Sequence, residues 1–595
     1  MIYFRLIIFY FVVSTLTISA QTGKQNQRKE CNAQLARQLV EQQADESKSV
    51  AETDKRVNIL LRVADFLWIT DELTARKYFA EAFQVARDRF REKGVEKSES
   101  KEGLLMQQPD YRFDVIAAIA KRDADWAGKL SEIVLKEYDE DAEKDKRNAN
   151  DKDNEVEDLI SLAAQTAKEN PQLALTLARR AMRYQLLRRW TYSLYQTASN
   201  NKSLADQVYT ELLNKNADAE VYRLLYLSAY PFATGRILGV EKYSMGMSVP
   251  VGFAPNRVLQ RQFITTLLRR VMRLTPESTS KSLQNIPETA IAVMALNDLE
   301  LIIGQQFPDL AQAFSQAKIH ANSIVEGNAL ASAKNSDEAG KSFNKSFDEK
   351  LEELEKDDDA GKLDDGKIFQ LANAAKTDEN YKKAETWLDK IKDETTREGT
   401  NNFFYFNRSK LATKENRLDD AKKYALKVPK IEHRAVLFFD IAEAKMKEPM
   451  TKSESLDTLL EVYQTANKSP DTVEKAQVLL GLAFMYEKVD HYTALSALAE
   501  AIKTANKLEA PNLFTGSVTQ IVKGKSFTHF SSYTVPGFVL TETFYALSKN
   551  DFLNALTHAT NFSDKYLRTI AVLATVKDCE RKDKFPKPKV NKLIK

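Results

Sequence analysis

VEDLISLAAQTAKENPQLALTLARRAMRYQLL, Val156 to Leu187, is the stretch whose reading decides the fold. Val156, Leu159, Ile160, Ala163 and Ala167 recur at i, i+3, i+4, i+7 and i+11, which puts them on one stripe of an α-helix. Asn170-Pro171 then reads as an N-cap followed by proline in the first helical position, where its missing N–H is no loss. Leu173, Leu177, Ala181 and Tyr184 make a second stripe. Ala174 and Ala178 lie beside it, small enough to let the two helices approach closely. The pattern predicts an antiparallel helix pair joined by a tight turn.

Working outward, the same arrangement recurs. LRVADFLWITDELTARKYFAEAFQVA (Leu61–Ala86), TASNNKSLADQVYTELL (Thr197–Leu213) and EKVDHYTALSALAEAI (Glu487–Ile502) each carry a short polar turn rich in Asn or Asp, then an alanine-bearing amphipathic helix. Ala384 to Ala421 is 37 residues and Ala421 to Ala494 is 73, close to two such steps. A period in this range marks a stacked array of helix pairs. The expected fold is therefore an all-α solenoid of antiparallel helix pairs, in two blocks. Gly plus Pro, 33 of 595 residues, is too few for the frequent turns of an all-β chain.

In this pattern the chain resembles the tetratricopeptide-like repeat family, in which a small residue on the first helix meets an alanine and an aromatic on the second, as Ala64, Ala75 and Phe79 do here. The family's Trp–Leu–Gly–Tyr run is nowhere complete, and its closing proline is mostly missing. The resemblance implies a superhelix whose concave surface holds peptides or partner proteins, and it implies no activity.

The first residues, MIYFRLIIFYFVVSTLTISAQ, have one positive charge at Arg5, an apolar run from Leu6 to Val13 and small residues ending at Ala20. This is the layout of a secretory signal over residues 1–20. The apolar part falls short of the ~20 residues a spanning helix needs, so no membrane span is expected in the mature chain. Export to a periplasm or the cell exterior follows. After it come a polar segment at 21–55, a first repeat block at 56–330, a charged linker at 331–367, a second block at 368–580 and a basic tail at 581–595. Only Cys31 and Cys579 are present. They either oxidise to join the chain ends or stay as two unrelated thiols.

Chemistry is sparse. The five histidines, His320, His433, His491, His529 and His558, are scattered and none pairs at i, i+4, so the expectation is exposed or turn histidines, with no catalytic residue, no metal and no cofactor. Gly340-Lys341-Ser342 and Gly524-Lys525-Ser526 lack the glycine five positions upstream that a phosphate-cradling loop needs; Asn335 and Thr519 stand there.

Three features remain as candidate binding surfaces. Arg179 and Arg183, with Arg269 and Arg270, belong to basic helical clusters that could take an anionic glycan, a phosphate or an acidic partner; the alternative is arginine stems covering apolar surface. Residues 230–256 hold four of the 18 glycines and three of the 15 prolines, so they cannot easily be helix, yet they are too apolar to stay in water. They are read as a packed irregular loop, either a plug or a lid offering Tyr243, Met245 and Met247 as an adaptable surface. Residues 515–538 are read as a second such loop. With 87 basic against 84 acidic side chains there is no overall field to draw in nucleic acid. The leading expectation is a non-enzymatic scaffold that binds another protein or peptide in the cell envelope, with envelope glycan as a possible ligand. The alternatives are an enzyme that processes envelope polymer at loop 230–256 or 515–538, and a purely structural repeat protein.

Overall fold

The computed structural model describes residues 31–93, 97–99, 105–107, 110–143, 149–239, 249–250, 252–276, 286–327, 345–509, 511–525, 527–577 and 579. Residues 1–20, residues 581–595, all of 331–344, and 240–248 with 251 inside 230–256 lie outside them.

The fold is an all-α solenoid of antiparallel helix pairs. In the decisive stretch, the helices Ala149–Thr166 and Pro171–Ala181 pack together. Asn170 caps the second as its sequence predicts, Oδ1 accepting from the Leu173 N–H at 3.1 Å. Leu159, Ala167, Leu177 and Ala181 are wholly buried, so both stripes face the core. The neighbouring pairs are Thr53–Leu67 with Glu72–Lys93, Tyr111–Ala120 with Ala124–Glu143, and Arg189–Asn200 with Lys202–Lys215. Each first helix also touches the next first helix along, and Pro171–Ala181 touches Lys202–Lys215 in the row of second helices. Contacts restricted to near neighbours are what make a repeat array quasi-one-dimensional.

The polar turns are caps. Asp71, Asp123 and Asn201 accept from the N–H groups of Thr74, Trp126 and Leu204 at 2.9–3.0 Å. Each satisfies one of the donors a helix start leaves open, worth about 1 kcal/mol. Ala64, Ala75 and Phe79 are all fully buried, and the Phe79 ring meets Trp68 and Trp126 edge-on at 5.9 and 6.3 Å, linking one pair to the next.

Two compact units divide the chain. The larger is Gln43–Ala444 together with Thr519–Tyr533; the smaller is Met1–Gln42, Lys445–Val518 and Thr534–Lys595. The boundary expected at 331–367 is therefore not the one observed. Helix pairs from Asp365–Ala374 through Leu418–Ala425 belong to the larger unit, whereas Val473–Tyr486 and His491–Ala505 pair within the smaller. Cys31 and Cys579 form a disulfide, Cα atoms 5.5 Å apart.

The segments read as polar (21–55), as a charged linker (331–367) and as an irregular loop (515–538) each carry regular structure. Within 21–55, Ala33–Ser47 is a helix. Within 331–367, Phe347–Asp359 is a helix begun by a capping box: Ser346 Oγ accepts from Glu349 N–H while the Glu349 carboxylate takes the Ser346 N–H. Within 515–538, Ser517–Lys523 and Thr528–Thr534 form a two-stranded sheet. At the start of 230–256, Tyr230 to Phe232 belong to a short helix, Ala229–Phe232, where the sequence pointed away from helix. Tyr230 donates from its OH to Asp206 Oδ1 at 2.7 Å, and its ring lies 5.2–5.6 Å from those of Tyr195, Tyr209 and Phe253. Asn256 N–H donates to the Pro231 carbonyl at 3.0 Å, closing the loop at its base. At Gly239, φ is +76° and a Cβ would lie 2.9 Å from Ala295, so only glycine fits against the Glu288–Gln306 helix. Among the described residues no helix is long and apolar enough to cross a membrane.

Candidate functional site

A cleft of about 570 Å3 opens in the larger unit, lined by Leu135, Thr176, Arg179, Arg180, Met182, Arg183, Glu211 and Lys215. Every wall comes from a second helix of a pair or the turn just after it: Ala124–Glu143, Pro171–Ala181 and Lys202–Lys215. The site thus lies on the row of second helices, whereas the family resemblance pointed to the concave groove. Arg179 and Arg180 occupy the last turn of one helix and Lys215 the last turn of another, where cations complement the helix macrodipole. Arg183 lies beyond its helix.

The cations of the cleft are not equivalent. Arg179 is forked onto Glu211, Nε and Nη2 each 2.8 Å from a carboxylate oxygen, and Gln207 Nε2 donates to the same carboxylate at 3.0 Å. The Arg179 hydrogen bonds hold the Glu211 carboxyl below its usual range. Arg183 and Lys215 are exposed and have no ion pair among the described residues. One carboxylate therefore faces four cations, and it is already engaged.

Of the residues singled out from sequence, Arg179 and Arg183 line this cleft, and Arg269 and Arg270 do not. Arg270 is structural: Nη2 is 2.8 Å from Glu288 Oε1 and Nε donates to the Ala219 carbonyl at 2.8 Å. Arg269 is exposed on the same helix. Tyr243, Met245 and Met247 lie outside the described residues. Glu211 and Lys215 went unread because their helix is about 32 residues downstream of Arg179; that distance is close to one repeat period, which is the signal that links them.

A second polar cluster lies where the strand segment Thr519–Tyr533 packs on the larger unit's helices. Phe369, Phe403 and Val522 are buried together with Phe527 against them, and the Phe369 and Phe527 rings stack at 5.1 Å. His433, expected at the surface or in a turn, is fully buried here. Asn402 Nδ2 is 2.8 Å from its Nδ1, and the rings of Phe406 and Tyr533 flank it at 6.1 and 6.4 Å. Glu432 Oε1 is 3.6 Å from its Nε2. Thr400 Oγ1, Asn402 Oδ1, Gln520 Nε2 and Tyr533 OH are also buried, with no hydrogen-bond partner among the described residues.

Burial pushes the His433 imidazole from 6.5 down to about 4; the Lys430 charge adds to this and the Thr519 backbone opposes it. Because the packed state keeps the ring neutral, its contribution to stability is complete above pH 6.5 and is lost as pH falls towards 4. A shift of this size is worth on the order of 3 kcal/mol at the acid limit. The protection factor of the 519–533 amides, with the intrinsic pH dependence of exchange divided out, should fall about tenfold or more between pH 7 and pH 5, and His433→Gln should flatten that dependence. A pH-independent protection factor in the wild type would remove His433 as the cause.

The most deeply buried charges surround Arg112, which has no exposure. Its Nε and Nη2 donate to Asp110 at 2.6–3.0 Å, and its Nη1 donates to Glu137 Oε2 at 2.7 Å. The guanidinium lies 3.4 Å over the Phe90 ring. Tyr138 OH donates to Asp110 Oδ2 at 2.7 Å, while Arg87 and Arg91 hold the outer side of Glu137. Two nearby carboxyls are raised by burial and then by the Asp110 charge: Asp158 to about 8 and Asp114, which reaches solvent, to about 6. Among the described residues no group of three His, Cys, Asp or Glu side chains is placed to hold a metal ion.

No protein-family model matches the chain, and no curated protein matches it. Among solved structures it is similar to a "Circular tandem repeat protein with novel repeat topology and enhanced subunit contact surfaces", at 12% identity over 92% of this chain and 96% of that one. The TM-score of 0.10 means the two backbones do not superpose, so nothing is carried across.

Proposed function

We propose that this helical-repeat protein is an exported, non-enzymatic scaffold that holds another protein or peptide in the cell envelope. The observation that carries the reading is the open cleft on the row of second helices, where Arg179 is paired to Glu211 while Arg183 and Lys215 are exposed with no ion pair among the described residues. Export is supported by the layout of residues 1–20 and by the Cys31–Cys579 disulfide, a bond that persists in oxidising compartments. The test is saturable binding. Immobilised oxidised protein should retain a defined envelope protein at fixed stoichiometry, with recovery competed by free scaffold. The enzyme reading keeps its site at loop 230–256 or 515–538. Turnover of envelope glycan or peptide by the purified protein, while nothing is retained, would reverse the order of the two.

A further inference from the structure

We infer that the cleft at Arg183 and Lys215 is a binding site for an acidic polypeptide segment. The inference rests on the scaffold reading and names the chemistry by which the partner is held.

The walls are specific about what they could take. Arg179 is spoken for, because both arms of its fork already meet Glu211. That ion pair behaves as a neutral wall and leaves Arg183 and Lys215 as the exposed charges a ligand would meet. Two separate cations suit two separate carboxylates better than one compact anion. A phosphate or sulfate would also fill little of a space of about 570 Å3. The cleft has an apolar component in Met182, almost wholly buried, and half-buried Leu135. A thioether adapts to irregular aliphatic shapes, and the methylenes of Glu side chains, or an apolar residue between two of them, fit against it. Among the described residues no aromatic ring and no Asn or Gln side chain lines the cleft. That excludes the stacking platform used for bases and the ring and amide surfaces that usually hold sugars, so polypeptide is favoured over glycan.

The test uses the full disulfide-bonded chain and a fluorescein-labelled octaglutamate peptide, followed by anisotropy. Octalysine, chondroitin sulfate and inorganic phosphate serve as comparison probes. Octaglutamate should bind at low ionic strength and weaken about tenfold or more by 0.3 M salt, since exposed charges are screened over a few ångströms there. Arg183→Glu and Lys215→Glu should each weaken it about tenfold, the cost of turning an attraction into a repulsion at the rim. The exchange Arg179→Glu with Glu211→Arg rebuilds the ion pair and should leave affinity within about twofold. Arg269→Glu changes net charge equally at an exposed arginine outside the cleft, and should also leave it within about twofold. Because Arg183 and Lys215 are exposed and unpaired, their variants should unfold at the wild-type denaturant concentration.

Equal losses from Arg269→Glu and Arg183→Glu would reduce the binding to general electrostatics and overturn the assignment. Chondroitin sulfate or phosphate displacing octaglutamate stoichiometrically would overturn it in favour of a glycan or a small anion. The two readings fail separately. An envelope protein retained equally by the wild type and the Arg183→Glu, Lys215→Glu double variant keeps the scaffold and sinks the site. Octaglutamate binding that maps to the cleft while no envelope protein is retained keeps the site and sinks the scaffold.

Discussion

Arg112→Ala should destabilise the larger unit by about 3–5 kcal/mol, the usual consequence of stripping one partner from a buried ion pair. The side chain makes hydrogen bonds to two carboxylates and covers the face of Phe90, with no solvent contact. Its removal leaves Asp110, itself 5% exposed, with a charge that only the Tyr138 hydroxyl and its own N-cap hydrogen bond to the Arg112 backbone would partly answer. The sign of a second substitution separates charge from packing. Arg112→Met alone refills most of the volume but still orphans Asp110, so it should cost nearly as much as alanine. Arg112→Met with Asp110→Asn removes both charges and should recover a large part of the loss, because a buried pair is worth little against an uncharged filling. Amide exchange within Tyr111–Ala120 and Ala124–Glu143 reads this locally. If the double variant is no more stable than Arg112→Met, lost packing and not an orphaned carboxylate is the cause.

How much of this could be read before any coordinates follows from which interactions are local. The helix pairs were legible because a stripe at i, i+3, i+4, i+7 and an Asn or Asp cap both act within a few residues, as in Val156–Leu187. The helix Ala33–Ser47 escaped because its buried stripe is Ala36, Val40, Gln43, Ala44 and Ser47, small and polar enough to look like linker. In Phe347–Asp359 the charged run promises no more than a helical turn or two, because the apolar residues on its packed side are just Phe347, Leu354 and half-buried Leu351, with Lys350 among them; its Ser346–Glu349 capping box was nevertheless present in the letters. In 517–534 the glycine and the serines drew attention to turn character, while the alternation Val518, Gln520, Val522, all buried, gave the strand period.

The cleft was half legible for the same reason. Arg179 and Arg183 stand out by local density of charge, but so do Arg269 and Arg270, and only three-dimensional neighbours tell them apart: Glu288 and the Ala219 carbonyl engage Arg270, while Glu211 engages Arg179 and leaves Arg183 open. His433 shows the converse. A lone histidine in IEHRAVLFFDIAEA carries no sign of burial, which comes from Tyr533, 100 residues later. Pairing of Cys31 with Cys579 was equally undecidable from sequence, since nothing local fixes a distance between residues 548 apart.

That bond sets the other large expectation. In the loop-closure description a disulfide stabilises by restricting the unfolded chain, and closing a ring of 548 residues is worth about 6 kcal/mol at most. The ring, however, runs through the whole larger unit, while both cysteines belong to the smaller. When the smaller unit opens and the larger stays folded, only the smaller unit's own segments become flexible. They amount to roughly 130 residues within the ring, and the bond is then worth about 5 kcal/mol. The Cys31→Ser, Cys579→Ser double variant, which leaves no stray thiol, should therefore lower the unfolding free energy of the smaller unit by about 5 kcal/mol, read as a lower urea midpoint. The larger unit, followed through Tyr111–Ala120, should move far less. A phosphine reductant should reproduce the shift in the wild type and do nothing to the double variant. Equal displacement of both units would mean that they unfold as one cooperative body, and alkylation of both thiols in protein taken directly from an oxidising compartment would remove the bond, and with it the strongest support for export.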